Sequence, residues 1–139
     1  MVKKVVLISC VSKKLNYKTK AEDLYISPLF RYSLAYARKL NPDEIFILSA
    51  KYSLVDLDEI IEPYDETLVG KRADEIKKWS ENVIGQISGR YDLKKDKFIF
   101  LAGANYRKYI LPHIIDYEIP MKGLGIGEQL AFLKNEINK

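Results

Sequence analysis

Three short, uninterrupted apolar runs constrain the fold of this chain more than any other feature. They are residues 5–8 (VVLI), 45–48 (IFIL) and 98–101 (FIFL), and each is rich in β-branched or aromatic side chains. A strand that is apolar at every position is typical of a parallel sheet covered on both faces. A weaker run at residues 117–119 predicts a further strand. The chain is therefore expected to contain a largely parallel sheet of about four strands.

Amphipathic helical patterns separate these runs. Ser27 and Pro28 suit the N-cap and the first position of a helix, and apolar side chains then recur at helical spacing as far as Leu40. Further helical patterns cover residues 73–87, 106–111 and 130–137. The alternation of strands and helices predicts a three-layer α/β fold in which residues 1–139 form a single domain.

Composition limits the classes of partner and cofactor. The net charge of +4 and the pI of about 9.0 fit a nucleic-acid partner, although a lysine-rich surface also serves solubility. One cysteine and one histidine are too few for a disulfide framework or a conventional zinc site, so we expect no metal and no cofactor. The amino-terminal apolar stretch is too short for a signal peptide or a membrane span. We therefore expect a cytoplasmic protein with no membrane partner.

Polar residues follow the first apolar run. The carboxyl ends of parallel strands share one edge of a sheet, where α/β proteins bind their ligands. Ser9, Ser12 and Lys13 offer hydroxyl and ammonium groups to a phosphate or carboxylate, or they form a solvated basic turn. The segment lacks the glycines of a P-loop. Cys10 is a candidate catalytic nucleophile activated by nearby lysines, or alternatively a small packed side chain.

The second apolar run leads into a long segment, residues 49–68, that has no clear periodicity. It is too apolar for disorder, and we expect an ordered loop without regular structure that packs down and shapes a pocket. Lys51 is a candidate anion ligand or proton donor, and Ser49 a candidate ligand contact. Tyr52 and Tyr64 are candidates for contacting a base. The alternative for Tyr64 is a buried aromatic ring whose hydroxyl is hydrogen-bonded.

Candidate ligand contacts also follow the third and fourth strands. Asn105 lies after the third apolar run, and Gly125 and Gly127 belong to a glycine-rich segment before the last helical pattern. Glycines let the backbone approach a ligand closely, although the spacing is not that of a dinucleotide-binding fingerprint. Asn105 or Glu128 is predicted to read the edge of a base. Glu128 has the alternative role of holding a nearby donor.

Tyrosines are frequent and several alternate with lysines. The chain has 10 tyrosines, and those interleaved with lysines are Tyr17, Tyr25, Tyr106 and Tyr109. Such a pattern favours single-stranded nucleic acid, because the rings stack on bases while the lysines contact phosphates. Tyrosines within helical stripes, such as Tyr32 and Tyr36, equally suit the face of an amphipathic helix.

Two segments carry a resemblance to a known family. Residues 49–64 have the sequence S-A-K-Y-S-L-V-D-L-D-E-I-I-E-P-Y. This segment resembles the motif S-[AG]-x-Y-G-x-[LV]-x-P-x-D-x-I-x-P-Y of YaaA-type peroxide-stress proteins. The segment L-I-S-C-V-S-K-K resembles their L-I-S-P-A-K. Ser53 stands where that family has glycine, and Asp65 where it has a basic residue. Because YaaA-type proteins bind DNA, the resemblance implies a nucleic-acid partner.

The whole chain also resembles a family of small uncharacterised domains. Their motifs S-C-x-x-K-K, S-A-K-[HY]-x-L-[LV] and G-L-G-I-G-[EQ]-Q-L all occur here. A Cys-Ser-Lys-rich segment of similar type occurs in the carboxyl-terminal part of archaeosine synthases, which modify a deazaguanine in transfer RNA. This resemblance likewise implies recognition of a nucleobase.

The leading hypothesis is an α/β protein that recognises a nucleobase or nucleotide, free or within DNA or RNA. If it is an enzyme, a transferase or hydrolase acting on a base or glycosidic bond suits the residues best, with Cys10 and Lys51 as catalytic candidates. An enzyme for a small phosphorylated or carboxylated metabolite is one alternative, and a non-catalytic interaction module is another. All three leave the oligomeric state open. Each depends on loops that are distant in sequence meeting around one ligand.

Overall fold

The computed structural model describes residues 1–9 and 13–139. Cys10 and Ser12, two of the predicted site residues, lie outside the described residues, so their proposed roles remain predictions.

The main sheet has five strands, and a separate pair of short strands lies beside it. The main strands are β1 (Lys4–Ser9), β3 (Glu44–Ser49), β4 (Ser53–Asp56), β6 (Lys97–Leu101) and β7 (Asp116–Glu118). They lie in the order β4-β3-β1-β6-β7, and every pair is parallel except β3 with β4. The short antiparallel pair is β2 (Thr19–Lys20) with β5 (Ile60–Ile61).

The helices cover both faces of the sheet. They are α1 (Ala21–Leu24), α2 (Pro28–Lys39), α3 (Ala73–Ser88), α4 (Ala104–Arg107) and α5 (Ile126–Ile137), with a 3-10 turn at Leu111–His113. The predicted α/β fold with a largely parallel sheet between helical layers is confirmed. The predicted helix start is also present, because the Ser27 hydroxyl accepts a hydrogen bond from the Phe30 N–H and Pro28 is the first helical residue.

Strand β1 shows why the apolar runs are uninterrupted. Its four central side chains are fully buried, and successive side chains of a strand point to opposite faces. Val6 and Ile8 belong to the core cluster that includes residues of α2 and α5, whereas Val5 and Leu7 belong to the cluster that includes residues of α3. Both faces of β1 are therefore apolar because a helical layer covers each.

The strand order creates a switch point between β1 and β6. The chain runs from β1 through α2 to β3 on one side, and from β6 through α4 to β7 on the other. The connections that follow these neighbouring strands therefore leave in opposite directions. In open α/β sheets this arrangement opens a crevice beyond the carboxyl ends of the two strands, which is where ligands bind.

The segment 49–68 differs from its prediction as an irregular loop. It contains β4, which turns back against β3 and forms one edge of the main sheet, and it also contains β5. The turn was hard to detect because no glycine, proline or asparagine marks it. Ser53 occupies the left-handed position with φ of 66°, which glycine adopts most easily, and its hydroxyl accepts a hydrogen bond from Asn82 Nδ2 at 2.8 Å.

Asp96 anchors the opposite edge of the sheet, at the amino ends of β1 and β6. Its carboxylate accepts hydrogen bonds from the Lys3 N–H at 2.9 Å and the Asp92 N–H at 2.8 Å, and the residue is only 6% exposed. The backbone hydrogen bond from Lys3 is the main cause that lowers the pKa of Asp96, and it outweighs the opposing effect of burial. The carboxylate thus stabilises the fold in its charged form.

We expect Asp96→Asn to lower the free energy of unfolding by about 1–3 kcal/mol near neutral pH, because a charged acceptor of two backbone N–H groups is lost. A carboxyl whose pKa is lowered by folding stabilises the protein above its unfolded pKa of about 3.9, and this stabilisation disappears as the pH falls through the folded pKa. Urea denaturation at several pH values should therefore show the two proteins converging in acid. Asp23→Asn, at an exposed position, is the control. A difference that does not vary with pH would contradict this account.

Candidate functional site

A cavity of about 430 Å³ lies beyond the carboxyl ends of β1 and β6. Ser9 ends β1 and lines it, and Leu101 and Ala102 line it at the end of β6. The starts of α2 and α5 and the short helix α4 complete its wall. The cavity therefore occupies the switch point of the sheet, the position that the topology favours for a ligand.

The wall of this cavity is mainly apolar with a few polar groups. Its apolar residues include Phe30, Phe100, Met121 and Leu124. Among the described residues that line it, Arg107 is the only charged one, and none is a carboxylate. The other polar side chains among these described residues are Ser9, Ser27, Ser33, Asn105, Gln129 and Tyr106, and the Tyr106 hydroxyl accepts a hydrogen bond from the Leu68 N–H at 3.3 Å.

Two hydrogen bonds shape the segment between β6 and α4. The Ser9 hydroxyl accepts from the Gly103 N–H at 3.1 Å, which connects the end of β1 to the residue that precedes α4. Arg107 Nη1 donates to the Ala102 carbonyl oxygen at 2.5 Å. This contact orients the Arg107 side chain. Because a guanidinium has five N–H donors, it also leaves most of them for another acceptor.

The glycine-rich segment contributes backbone to the cavity. Gly123 has φ of 81° and lines the wall together with Leu124, whose carbonyl oxygen accepts from Gln129 Nε2 at 2.8 Å. This bond leaves the amide oxygen of Gln129 as an acceptor. Glu128 Oε1 accepts from the Gly125 N–H at 3.0 Å, so Glu128 has the alternative role that the sequence suggested, namely holding a nearby donor.

The predicted contacts after β3 have a different environment. Ser49 is fully buried, and its hydroxyl accepts from the N–H groups of Lys51 and Tyr52 while its carbonyl oxygen accepts from Trp79 Nε1. Lys51 is exposed, and its Nζ lies 5.4 Å from the centroid of the Tyr52 ring. None of these side chains lines the 430 Å³ cavity. Ser49 therefore organises the turn between β3 and β4.

Tyr64 is a buried aromatic residue. It is 7% exposed, and its hydroxyl is 2.5 Å from that of Tyr25. Lys14 Nζ lies 4.5 Å from the Tyr64 ring centroid, and the Tyr52 ring packs edge-on at 5.6 Å. With residues 14–16, Tyr64 lines a separate cavity of about 290 Å³. This environment corresponds to the alternative role for Tyr64, a buried ring with a hydrogen-bonded hydroxyl.

The structure thus brings together some predicted site residues and separates others. Ser9, Asn105 and part of the glycine-rich segment share the wall of one cavity. The predicted residues that do not line it are Lys13, Ser49, Lys51, Tyr52, Tyr64, Gly125, Gly127 and Glu128. The site is therefore centred on β1 and β6 and less on the segment after β3.

A comparison with protein families adds an identification to this geometry. A family described as of unknown function, DUF6884, matches residues 5–135 and so includes every residue of the cavity wall. The chain belongs to family DUF6884. The expectation of a small uncharacterised family is thereby confirmed. No curated protein matches the chain, and no solved structure does either.

Among the described residues of this DUF6884 site, four polar ones were not predicted from sequence. They are Ser27, Ser33, Arg107 and Gln129. A signal was present for two of them, because Ser33 is a polar residue within the apolar stripe of α2 and Gln129 directly follows the glycine-rich segment. Ser27 was assigned only to capping. Arg107 had no distinguishing signal, since it is one of 23 basic residues.

The acidic groups at the amino edge of this DUF6884 member are engaged in structural contacts. Arg90 pairs with Glu44 at 3.1 Å and with Asp56 at 3.0 Å, and the Tyr91 hydroxyl donates to Glu44 at 3.0 Å. Burial, together with this hydrogen bond to Glu44, raises the pKa of Tyr91 to about 12.

Within residues 1–9 and 13–139, no group of three or more His, Cys, Asp or Glu is placed to hold a metal ion. Nor does any helix in these ranges have the length and hydropathy to cross a membrane.

Proposed function

We propose that the chain recognises a nucleobase or nucleotide, free or as part of DNA or RNA, in the cytoplasm. The observation that carries the proposal is the 430 Å³ cavity at the switch point, which has one guanidinium and no carboxylate on its described wall. A ligand with one anionic group and a largely uncharged body complements this wall.

The size and lining of the cavity support a ligand of nucleotide size. Small-molecule sites typically enclose about 300–1,000 Å³ and combine apolar walls with a few polar groups. Leu29, Leu124 and Ile126, which are half-buried or exposed, offer apolar contact to a base. Asn105 and Gln129 offer amide groups, and a base edge presents both donors and acceptors to such groups.

Arg107 is the proposed phosphate contact. Guanidinium groups bind phosphate with two parallel hydrogen bonds, and the contact between Arg107 and the Ala102 carbonyl oxygen orients the side chain beforehand. The resemblances to YaaA-type proteins and archaeosine synthases point to the same class of ligand. If the chain is catalytic, transfer or hydrolysis at a base or glycosidic bond is the proposed chemistry.

The direct test is binding of fluorescently labelled mononucleotides and of labelled single- and double-stranded oligonucleotides across a salt series. We expect saturable binding of at least one mononucleotide, and binding of oligonucleotides that weakens as the salt concentration rises. If no mononucleotide or oligonucleotide binds, the proposal is wrong.

Arg107→Ala should weaken binding of a nucleoside monophosphate by about 10- to 100-fold, because a hydrogen bond to a charged group contributes about 1.5–3 kcal/mol. Isothermal titration calorimetry with the nucleotide and the matching nucleoside measures this effect. The nucleoside is the control, since it lacks the phosphate and its affinity should change little. Equal losses for both ligands would contradict a phosphate contact at Arg107.

A small phosphorylated or carboxylated metabolite is the second candidate ligand. The same wall favours it, because one guanidinium suffices for a single anionic group. If a metabolite that contains no base binds in the cavity, and no nucleotide displaces it, this candidate is favoured over the first.

A further inference from the structure

Two lysines from different elements meet around one tyrosine ring close to the cavity. Lys77 Nζ lies 5.3 Å from the centroid of the Tyr109 ring, and Lys108 Nζ lies 5.4 Å from it. Lys77 belongs to α3, whereas Lys108 caps the end of α4. Both lysines are exposed, and Tyr109 is half-buried. We refer to Lys77 and Lys108 as the Lys77–Lys108 pair.

In the described part of the chain, none of the ion pairs involves Lys77 or Lys108. The nearby acidic side chains Asp74 and Glu75 both pair with Arg72. Glu81, one helical turn beyond Lys77, forms no ion pair with it either.

The tyrosine ring compensates for part of the repulsion between the two ammonium groups. Neighbouring like charges are unfavourable, whereas a cation against an exposed aromatic ring gains about 0.5–1 kcal/mol. The Tyr109 ring thus holds both cations at the surface. An anionic partner would gain from both charges together, which indicates a ligand with at least two negative groups.

The pair lies next to the wall of the cavity. Tyr106 and Arg107 line the cavity, and Lys108 directly follows Arg107, about 3.8 Å away between Cα atoms. The Trp79 ring of α3 packs edge-on against Tyr106 at 5.5 Å, which connects α3 to the same wall. Lys108 thus caps the same short helix that supplies Arg107 to the cavity wall.

We infer that the Lys77–Lys108 pair binds backbone phosphates of single-stranded nucleic acid, one nucleotide of which occupies the cavity. This inference rests on the proposed function and extends it from a nucleotide to a polymer. A base enters such a cavity only when it is unstacked and unpaired, which favours a single strand over a duplex. A nucleic-acid backbone has one charge per nucleotide and can therefore contact both lysines, whereas a nucleoside monophosphate has a single phosphate group.

The test compares Lys77→Gln/Lys108→Gln with the unaltered protein, using a labelled single-stranded 12-nucleotide oligomer and a mononucleotide. We expect oligomer affinity to fall about 10-fold at 0.1 M salt, and the slope of log K against log salt to decrease by about 1.4, since each phosphate contact on a single strand contributes about 0.7. Mononucleotide affinity should stay the same. Lys94→Gln/Lys95→Gln carries the same change in charge just before β6, at the opposite edge of the sheet, and should change neither.

The outcomes separate this inference from the proposed function. An unchanged oligomer slope with intact mononucleotide binding overturns the role of the pair alone. If neither a mononucleotide nor an oligonucleotide binds the unaltered protein, the proposed function itself fails. Equal competition by poly-glutamate would assign the pair to acidic polymers in general and would overturn its assignment to nucleic acid.

Discussion

Replacing Ala104 by tryptophan is expected to weaken nucleotide binding by about 100-fold, which corresponds to about 2.7 kcal/mol. Ala104 is exposed, begins α4 and lines the 430 Å³ cavity. A tryptophan side chain at this position would occupy space that the ligand needs. Because the position is exposed, we expect the fold to tolerate the substitution with a change of about 0.5 kcal/mol or less in stability. Fluorescence titration with a labelled mononucleotide, beside thermal unfolding, measures both effects.

Ala35→Trp is the matched control for this cavity-filling substitution. Ala35 is also exposed and helical, in α2, but it does not line the cavity. Its variant should bind the mononucleotide as the unaltered protein does. Undiminished binding by Ala104→Trp would show that the ligand lies elsewhere on the molecule, whereas equal losses in both variants would point to a general effect of the added indole.

Phe98→Ala is expected to lower the free energy of unfolding by about 3–5 kcal/mol. Phe98 is fully buried in β6, where it aligns with Val5 of β1 and Tyr117 of β7. Its side chain belongs to the core cluster that includes Val83 and Ile87 of α3. Removing the ring leaves a cavity that close-packed neighbours fill only in part. Since domains are typically stable by about 5–15 kcal/mol, urea denaturation should show a large shift of the midpoint.

Phe132→Ala provides the comparison within the opposite layer. Phe132 is half-buried in α5 and packs edge-on against Tyr36 at 5.6 Å. Because less of its surface is removed from water, we expect a loss of about half that of Phe98→Ala or less. A similar or greater loss for Phe132→Ala would contradict the account in which the burial of each ring sets the size of the loss.

The elements were largely predictable because burial leaves a direct record in the sequence. Residues 5–8, 45–48 and 98–101 are apolar at every position, and all lie in strands of the main sheet. The start of α2 at Ser27 and Pro28 was also predictable, because helix capping depends only on the residues of the adjacent turn. The edge strand β4 was missed because its turn has Ser53 at the position where glycine would have been the signal.

The candidate site was predictable only in part, for a physical reason. Ser9 ends β1 and Asn105 lies shortly after β6, and their positions after apolar runs were enough to predict that both lie at the edge of the sheet. Arg107 and Ser33 line the same cavity because α4 and α2 pack against that edge, and packing between distant elements leaves no local pattern. For Tyr64 the sequence left two roles open, a base contact or a buried ring, and its contacts with Tyr25 and Lys14 place it outside this cavity.

The amino-acid sequence by itself determined that this chain forms a largely parallel α/β sheet, since the period of apolar residues follows directly from which faces are buried. It also determined that polar residues follow several strands. Only the tertiary structure decided which of these residues share a cavity, because strand order sets where the switch point lies. Strand order depends on long-range pairing of β1 with β3 and β6, which no short stretch of sequence specifies.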